Sequence, residues 1–284
     1  MNTGISLSNR FENALIQTLD QYLRPPTPPH LAESIRYSCL TPGKRIRPRL
    51  LLTCAQMLSL AIEQVMPAAV ALELIHCFTL IHDDLPCMDN DDWRRGLPSN
   101  HKKFGETLAL LAGDALLALA WNVFLDAGLP AERLLRGSRR LTSAVGSAGV
   151  IGGQAAESLL NAHSTFAQLQ QMHRQKTGAL FSAALLIPQD FAGIADESFE
   201  GQTLYQFADQ LGLAFQIADD LEDPPTPTPA VTSVLHYLSR EQAASYVLTH
   251  LPLAGEKLTQ VWGTQALPLK EMAGEILSKT QQTL

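Results

Sequence analysis

The feature that most limits this chain is a helical period of apolar residues, kept almost from end to end. Phe11, Leu15, Leu19, Tyr22 and Leu23 recur at three- and four-residue spacing, and so do Leu204, Phe207, Leu211 and Phe215. That spacing gathers apolar side chains on one helix face. Alternating β-branched runs are scarce, and no Asn-Gly or Asp-Gly pair joins two of them as a hairpin turn would. Proline and glycine supply the breaks: RPPTPPH at 24–30, TPGKRIRP at 41–48, RGLPSN at 95–100, AGLPAE at 127–132 and PPTPTP at 224–229. Each reads as a helix stop or connector. Several helices are apolar on more than one face, which calls for buried central members in a bundle. No repeat of 20–50 residues and no shift in composition divides the chain, so the expectation is all-α, a single domain over residues 1–284.

Charge is used sparingly. Only 17% of residues are charged, and 21 Lys and Arg stand against 28 Asp and Glu, a net of −7. That balance argues against a nucleic-acid partner. Cys39, Cys54, Cys77 and Cys87 form no C-x-x-C pair, so free thiols on apolar helix faces are expected rather than a disulfide framework or zinc site. The N-terminal stretch lacks a basic region followed by an apolar block, and the run from Leu108 to Ala120 is broken by Gly113 and Asp114. These features predict a cytoplasmic chain with no signal peptide and no membrane span.

Against this background two acidic clusters stand out. HDDLPCMDNDD, His82 to Asp92, follows the apolar stretch Ala71 to Ile81, and DDLED, Asp219 to Asp223, follows Tyr205 to Ala218. Both lie where a buried helix nears its C-terminus, whose negative partial charge makes added carboxylates unfavourable unless something offsets them. Asp219 and Asp223, at i and i+4, share one helix face and suit a hard cation. A solvated helix end is the plain alternative for either cluster alone. Two clusters facing each other would make a Mg²⁺–diphosphate cage. Cations for such an anion are also grouped: Lys44, Arg45, Arg47 and Arg49 in GKRIRPR, then Arg94 and Arg95, His101 to Lys103, and Lys176. A basic helix start is unusual unless an anion sits there.

The motifs resemble those of the trans-type isoprenyl diphosphate synthases, in particular the short-chain bacterial farnesyl and geranylgeranyl type. The match runs in order from Gly43-Lys44-Arg45-Ile46-Arg47-Pro48 through Asp83 to Asp89, Arg94-Arg95-Gly96, His101, Gly113-Asp114, Gly152-Gly153-Gln154 and Lys176-Thr177-Gly178 to Phe215-Gln216 and Asp219 to Asp223. The resemblance implies an all-α isoprenoid-synthase bundle around a central apolar cavity, assembled as a homodimer. It implies three Mg²⁺ ions held by Asp83, Asp84, Asp89, Asp219, Asp220 and Asp223. Lys44, Arg47, His76 and Arg95 would bind isopentenyl diphosphate; Arg94, Lys176, Thr177 and Gln216 would serve the allylic diphosphate and its cation. Product length in this family is read near the first Asp cluster, where Phe78, with Thr79 beside it, resembles a farnesyl-type stop. An ordinary core phenylalanine is the competing reading of Phe78.

After Asp223 the resemblance fails. Relatives carry a lysine-bearing loop there, whereas this chain goes straight to PPTPTPAVTSVLHYL, with Val231 to Val234 where the family's Lys-x-Thr-Tyr would fall. No lysine lies between Lys176 and Lys257, and Arg240 is the only arginine. Proline restricts such a loop, so a fixed rather than a closing lid is expected. The alternative function is therefore a synthase-like paralogue that binds diphosphates as a weakened enzyme or regulatory partner. Other readings fare worse. A carboxylate-bridged di-iron bundle needs two E-x-x-H motifs, and only Glu73-Leu74-Ile75-His76 is present. GSAGVIGG at 146–153 lacks a preceding strand and a P-loop lysine, so it is expected to serve close helix packing.

Overall fold

Residues 6–224 and 226–283 are described by the structure, a computed structural model. Thirteen α-helices of the described residues account for nearly all regular structure: α1 Leu7–Tyr22, α2 Pro29–Leu40, α3 Ile46–Met57, α4 Ile62–Asp83, α5 Asn100–Phe104, α6 Glu106–Leu125, α7 Ala131–Val145, α8 Val150–Glu157, α9 Phe166–His173, α10 Ala179–Ala192, α11 Phe199–Glu222, α12 Arg240–Trp262 and α13 Leu267–Gln282. The all-α expectation holds. Among the described residues the strands form a single two-stranded hairpin, β1 Trp93–Arg94 against β2 Leu97–Pro98. Its turn residues, Arg95 and Gly96, have φ of 54° and 77°, the left-handed pair that a tight two-residue hairpin needs. Arg-Gly is not the usual signal for such a turn, so RGLPSN read as a plain connector.

The chain divides into two units: the described residues up to Leu52 with Ala61–Leu129, and Thr53–Leu60 with the described residues from Pro130 onward. In the first, α4 packs along α6, with α1 and α2 also against it. Buried positions run almost unbroken from Ala68 to Ile75, so α4 is buried on all sides and its neighbours wrap it. Phe11, Leu15 and Leu19 of α1 are buried as their spacing predicts. In the second unit α10 is the buried member, lying against α7 and α11, while α11 also packs on α12 and α13. Leu204, Phe207 and Leu211 of α11 are buried as expected, while Phe215, the fourth residue of that stripe, is half-buried.

Both α4 and α6 are long and apolar enough to cross a membrane by length and composition. The sequence reading interrupted this apolar run at Gly113 and Asp114, but the helix runs through both, and a Cβ on Gly113 would lie 2.1 Å from Nε2 of His82 on α4. Glycine is what lets the two helices approach. Most of the apolar α4 window, 72%, is buried in the fold, and a core helix meets the same length and composition test. Cys39, Cys54 and Cys77 are buried free thiols, while Cys87 is exposed on the turn after α4 rather than on a helix face.

One ion pair ties the first unit together at depth. Arg45 is held with φ of 46°, and its guanidinium donates to Oε1 of Glu73 at 2.6 Å, to Oε1 of Glu12 at 3.0 Å and to the carbonyls of Cys39 and Thr41. Arg45 and Glu73 are 7% and 1% exposed, so neither charge has water as an alternative partner. Burial would lower the Arg45 pKa, but Glu73 and Glu12 more than offset it and hold it above the ordinary value. Arg45 is therefore a structural cation rather than a free member of the basic cluster. Breaking a buried pair from one side leaves an uncompensated charge, at a cost of about 3–5 kcal/mol. Glu73→Ala is expected to lower unfolding free energy by that amount in urea titration, and a loss below about 1 kcal/mol would contradict a buried, load-carrying pair.

Candidate active site

In the first unit the basic helix start and the first acidic cluster meet at one end of α4. Asp83 is the last residue of α4 and Asp84 its C-cap. The Asp89 amide donates to the Asp83 carbonyl at 2.9 Å, which folds the motif back on the helix end. Asp84 is 2% exposed and accepts from Arg94, whose Nε lies 2.9 Å from Oδ1 and whose Nη2 bonds the same oxygen. The same guanidinium reaches Asp91 at 3.0 Å. Burial raises the Asp84 pKa, and Arg94 works against that rise. The hairpin thus carries Arg94 onto the helix terminus, where a cation is electrostatically favoured.

His76, about two turns back along α4, sits 3.3 Å from Nη1 of Arg47 through its Nε2. Burial, then the cations of Arg47, Arg95, Arg45 and Arg94, hold its pKa well below the ordinary imidazole value. The guanidiniums of Arg47, Arg95, Arg45 and Arg94 all disfavour a charge on this imidazole. Arg95 reaches the Thr41 carbonyl at 3.4 Å and lies against Gly43, where a Cβ would come within 2.8 Å of the guanidinium. Lys44 is exposed. Of the other basic residues, Lys102 pairs with Asp92 at 2.7 Å and Lys103 lies 3.9 Å over the Tyr37 ring, so both are used by the protein itself. Phe78 is buried and meets the His82 ring edge to face at 5.0 Å, and His82 Nε2 lies 3.0 Å from the Leu110 carbonyl. Thr79 returns its hydroxyl to the His76 carbonyl of its own helix at 2.8 Å.

The second unit holds the other candidates. Lys176 and Thr177 lie on a π-turn, Arg174–Gly178, between α9 and α10; such irregular turns often occur at functional sites. The GSAGVIGG segment makes the close packing expected of it: a Cβ on Gly153 would lie 2.3 Å from the Lys176 amide nitrogen. Lys176 forms an ion pair with Glu157 of α8, a partner that the motif reading did not foresee. Thr177 donates to Oε1 of Gln216 at 2.8 Å, and Gln216 Nε2 donates to Oδ1 of Asp220 at 2.9 Å. The motif residues Thr177, Gln216 and Asp220 are therefore one hydrogen-bonded chain.

Asp219 and Asp220 lie in the last turns of α11, and Asp223 is its C-cap. Lys279 of α13 lies 3.9 Å from Asp219 and 2.9 Å from Glu222. Nothing in the motif order pointed to that lysine; it comes from far along the chain by the packing of α13 on α11. The other oxygen of Asp220, Oδ2, accepts from the Val234 amide at 2.7 Å and the Ser233 hydroxyl at 3.3 Å. His173 Nε2 lies 2.9 Å from the Thr232 carbonyl, and Arg240 donates to the Leu221 and Asp223 carbonyls. Asp220, Asp223, Pro224, Ala230, Ser233 and Arg240 line a cavity of about 370 Å³.

Among the described residues no three His, Cys, Asp or Glu side chains converge as a metal cluster. At the first cluster the donors nonetheless suit Mg²⁺: they are hard carboxylate oxygens, and Asp84 already binds a cation. Mg²⁺ usually needs only one or two carboxylates plus substrate phosphates. At the second cluster Asp220 fits poorly, because its Oδ2 has both lone-pair directions used and Oδ1 one.

Comparison with known proteins bears on the family and the fold. Residues 28–229 match the polyprenyl synthetase family. The chain is 46% identical over 200 residues to the dimethylallyltranstransferase of Fischerella ambigua, over 69% of this chain and 57% of that protein. It is 40% identical over 215 residues to a chloroplastic geranylgeranyl pyrophosphate synthase of Catharanthus roseus, over 74% of this chain and 60% of that one. The match therefore spans less than two thirds of the length of these relatives. The crystal structure of geranyltransferase from Legionella pneumophila superposes with a TM-score of 0.89 at 32% identity, over 97% of this chain and 95% of that one. An FPP/GFPP synthase from Zymomonas mobilis gives 0.83 at 32% identity, over 95% and 98%. The family match stops at 229, inside the Pro-rich stretch, whereas the structural match takes in nearly the whole chain.

The pocket makes a direct prediction for His76. Its ring stays neutral in the folded protein as the pH falls from 8 to 6, because its pKa is held below the usual 6.5 or so. Below that pH the unfolded chain gains a proton that the folded chain refuses, so His76 makes the fold less stable on acidification. ¹⁵N NMR of the imidazole nitrogens should show no titration in this range; a midpoint near 6.5 would contradict the cationic pocket.

Proposed function

Because the chain belongs to the polyprenyl synthetase family, we propose that it is a prenyltransferase that joins isopentenyl diphosphate to an allylic diphosphate. The observation that carries this reading is the grouping of cations near the C-terminal part of α4, where Arg47 contacts His76, Arg94 holds Asp84, and the cations of Arg47, Arg95, Arg45 and Arg94 keep the His76 pKa low. Guanidinium forks match phosphate oxygens bidentately. Neutral His76 accepts from Arg47 and orients it without adding repulsion. Lys44, Arg47, His76 and Arg95 are assigned to isopentenyl diphosphate, and Arg94 to the allylic diphosphate.

Condensation needs no protein nucleophile. The allylic C–O bond breaks, and its electron pair leaves with the diphosphate. The double bond of isopentenyl diphosphate attacks the resulting cation, and a proton is then lost, with the departed diphosphate as acceptor. Mg²⁺, held at the first cluster by Asp83, Asp84 and Asp89, would supply charge neutralisation on the leaving diphosphate. Thr177 and Gln216 bring two polar oxygens together on one hydrogen bond, a fixed dipole suited to a cation. The metal roles carried to Asp219 and Asp223 rest on the family pattern.

The finer assignment is a C15 product, with dimethylallyl or geranyl diphosphate as starter. It is supported by Phe78, whose ring is braced edge-on by His82, itself seated over Gly113. A braced aromatic stops a growing chain better than a free one. We also propose a homodimer: α6 leaves Leu110, Leu111 and Leu125 about half exposed on one helix, an apolar stripe that a second copy would cover. Sedimentation at twice the chain mass is the expected result, and a monomer at micromolar concentration would contradict it.

The activity is tested by incubating the purified chain with labelled isopentenyl diphosphate, each allylic diphosphate in turn and Mg²⁺. A prenyl diphosphate product is expected. Its absence with every allylic partner, while diphosphates still bind, would favour the non-catalytic paralogue instead. Phe78→Ala is expected to shift the main product to longer chains by at least one five-carbon unit; an unchanged product would make Phe78 an ordinary core residue.

A further inference from the structure

We propose that residues 230–234 form a fixed strap that takes Asp220 as its anchor, so that this carboxylate holds the chain's own backbone instead of a metal ion. The inference rests on the prenyltransferase reading only for the expectation that a metal would be sought at Asp220. Three contacts pin the strap in sequence. The Thr232 carbonyl lies on His173 Nε2 at 2.9 Å, the Ser233 hydroxyl is 3.3 Å from Asp220 Oδ2, and the Val234 amide is 2.7 Å from the same oxygen. Ser233 also accepts from the Leu235 amide at 3.3 Å, which starts the short 3₁₀ turn Val234–His236. Arg240, the first residue of α12 and six residues beyond the strap, ties the far side to the Leu221 and Asp223 carbonyls.

The anchor is buried as well as bonded. Asp220 is 6% exposed, Val234 2% and His173 4%. Gln216 takes Oδ1, so three of about four acceptor directions on the carboxylate are filled by protein donors. A cation entering here would have to displace a buried amide and leave it unpaired, a cost that a carboxylate open to water does not impose. The sequence explains why the strap reaches Asp220 at all. The chain passes from Asp223 to Val234 in eleven residues with four prolines in its first seven, and no lysine-bearing loop intervenes. A short, stiff connection returns the backbone directly to the carboxylate. In this arrangement metal loads on the first cluster and the second contributes through Asp219 or Asp223 at most.

Two variants separate strap from ligand. Asp220→Asn keeps an acceptor for the Val234 amide but weakens any metal ligation. Ser233→Ala combined with Val234→Pro removes both donors from Oδ2. Proline is tolerated there because position 234 opens the 3₁₀ turn and Ser233 already has extended backbone, φ −95° and ψ 142°. Mn²⁺ is titrated into the full chain with inorganic pyrophosphate present, and free Mn²⁺ is read by electron paramagnetic resonance; thermal melts confirm that each variant folds. Asp84→Asn is expected to weaken Mn²⁺ binding at least tenfold, and Asp220→Asn to leave it within twofold of the parent. The double variant should gain Mn²⁺ binding, and adding Asp220→Asn to it should remove the gain. A tenfold loss in Asp220→Asn alone, or no gain in the double variant, overturns the strap. Equal binding by the parent and Asp84→Asn would instead count against the diphosphate-handling reading, while the double variant still judges the strap.

Discussion

The fold must place carboxylates at the C-terminal ends of buried apolar helices, where the backbone field opposes them. Everything around the candidate site answers that constraint. At the end of α4 the answer is Arg94, delivered by the two-stranded hairpin. At the end of α11 the answers are Lys279, Arg240 and the Val234 amide, which between them meet Asp219, the last carbonyls and Asp220. The two ends solve one electrostatic problem by different means. A guanidinium can give way to another cation, whereas a buried backbone amide has no other partner to go to.

Much of this was legible in the sequence, because helical periodicity and motif order depend on local spacing. The stripes at Phe11–Leu19 and Leu204–Leu211 are buried as spaced, the all-α class follows, and the Thr177, Gln216 and Asp220 motif residues meet in one hydrogen-bonded chain. What was not legible depends on partners far apart in the chain. Arg45 belongs to the basic cluster by sequence but is spent on Glu73 and Glu12. Lys176 is paired with Glu157, and Lys279 reaches the second cluster only through the packing of α13. Gly113 reads as a break in an apolar run until His82 is seen to need the space over it. The Arg-Gly hairpin escaped notice because its turn uses a non-glycine residue with positive φ.

The departure after Asp223 connects these observations to function. The resemblance implies lysines there that this chain lacks; in their place a short proline-rich stretch leads to Ser233 and Val234, which bond a motif carboxylate. Such a return gives up charge at the second cluster and gains a rigid boundary to the site. The positive pocket around His76 is untouched by the change, since it lies on α3, α4 and the hairpin. Diphosphate recognition by the first unit is thus a proposal that rests on the family, whereas the bonds that hold Asp220 are seen directly.

The most direct measurement of those bonds is hydrogen exchange at the Val234 amide, with and without Mg²⁺ and inorganic pyrophosphate. The account predicts slow exchange in both conditions, because the amide is buried and bonded to Asp220 whether or not ligand is bound. Exchange that accelerates to that of an open loop when Mg²⁺ and pyrophosphate are added would show the strap releasing Asp220 to the metal, and would contradict it.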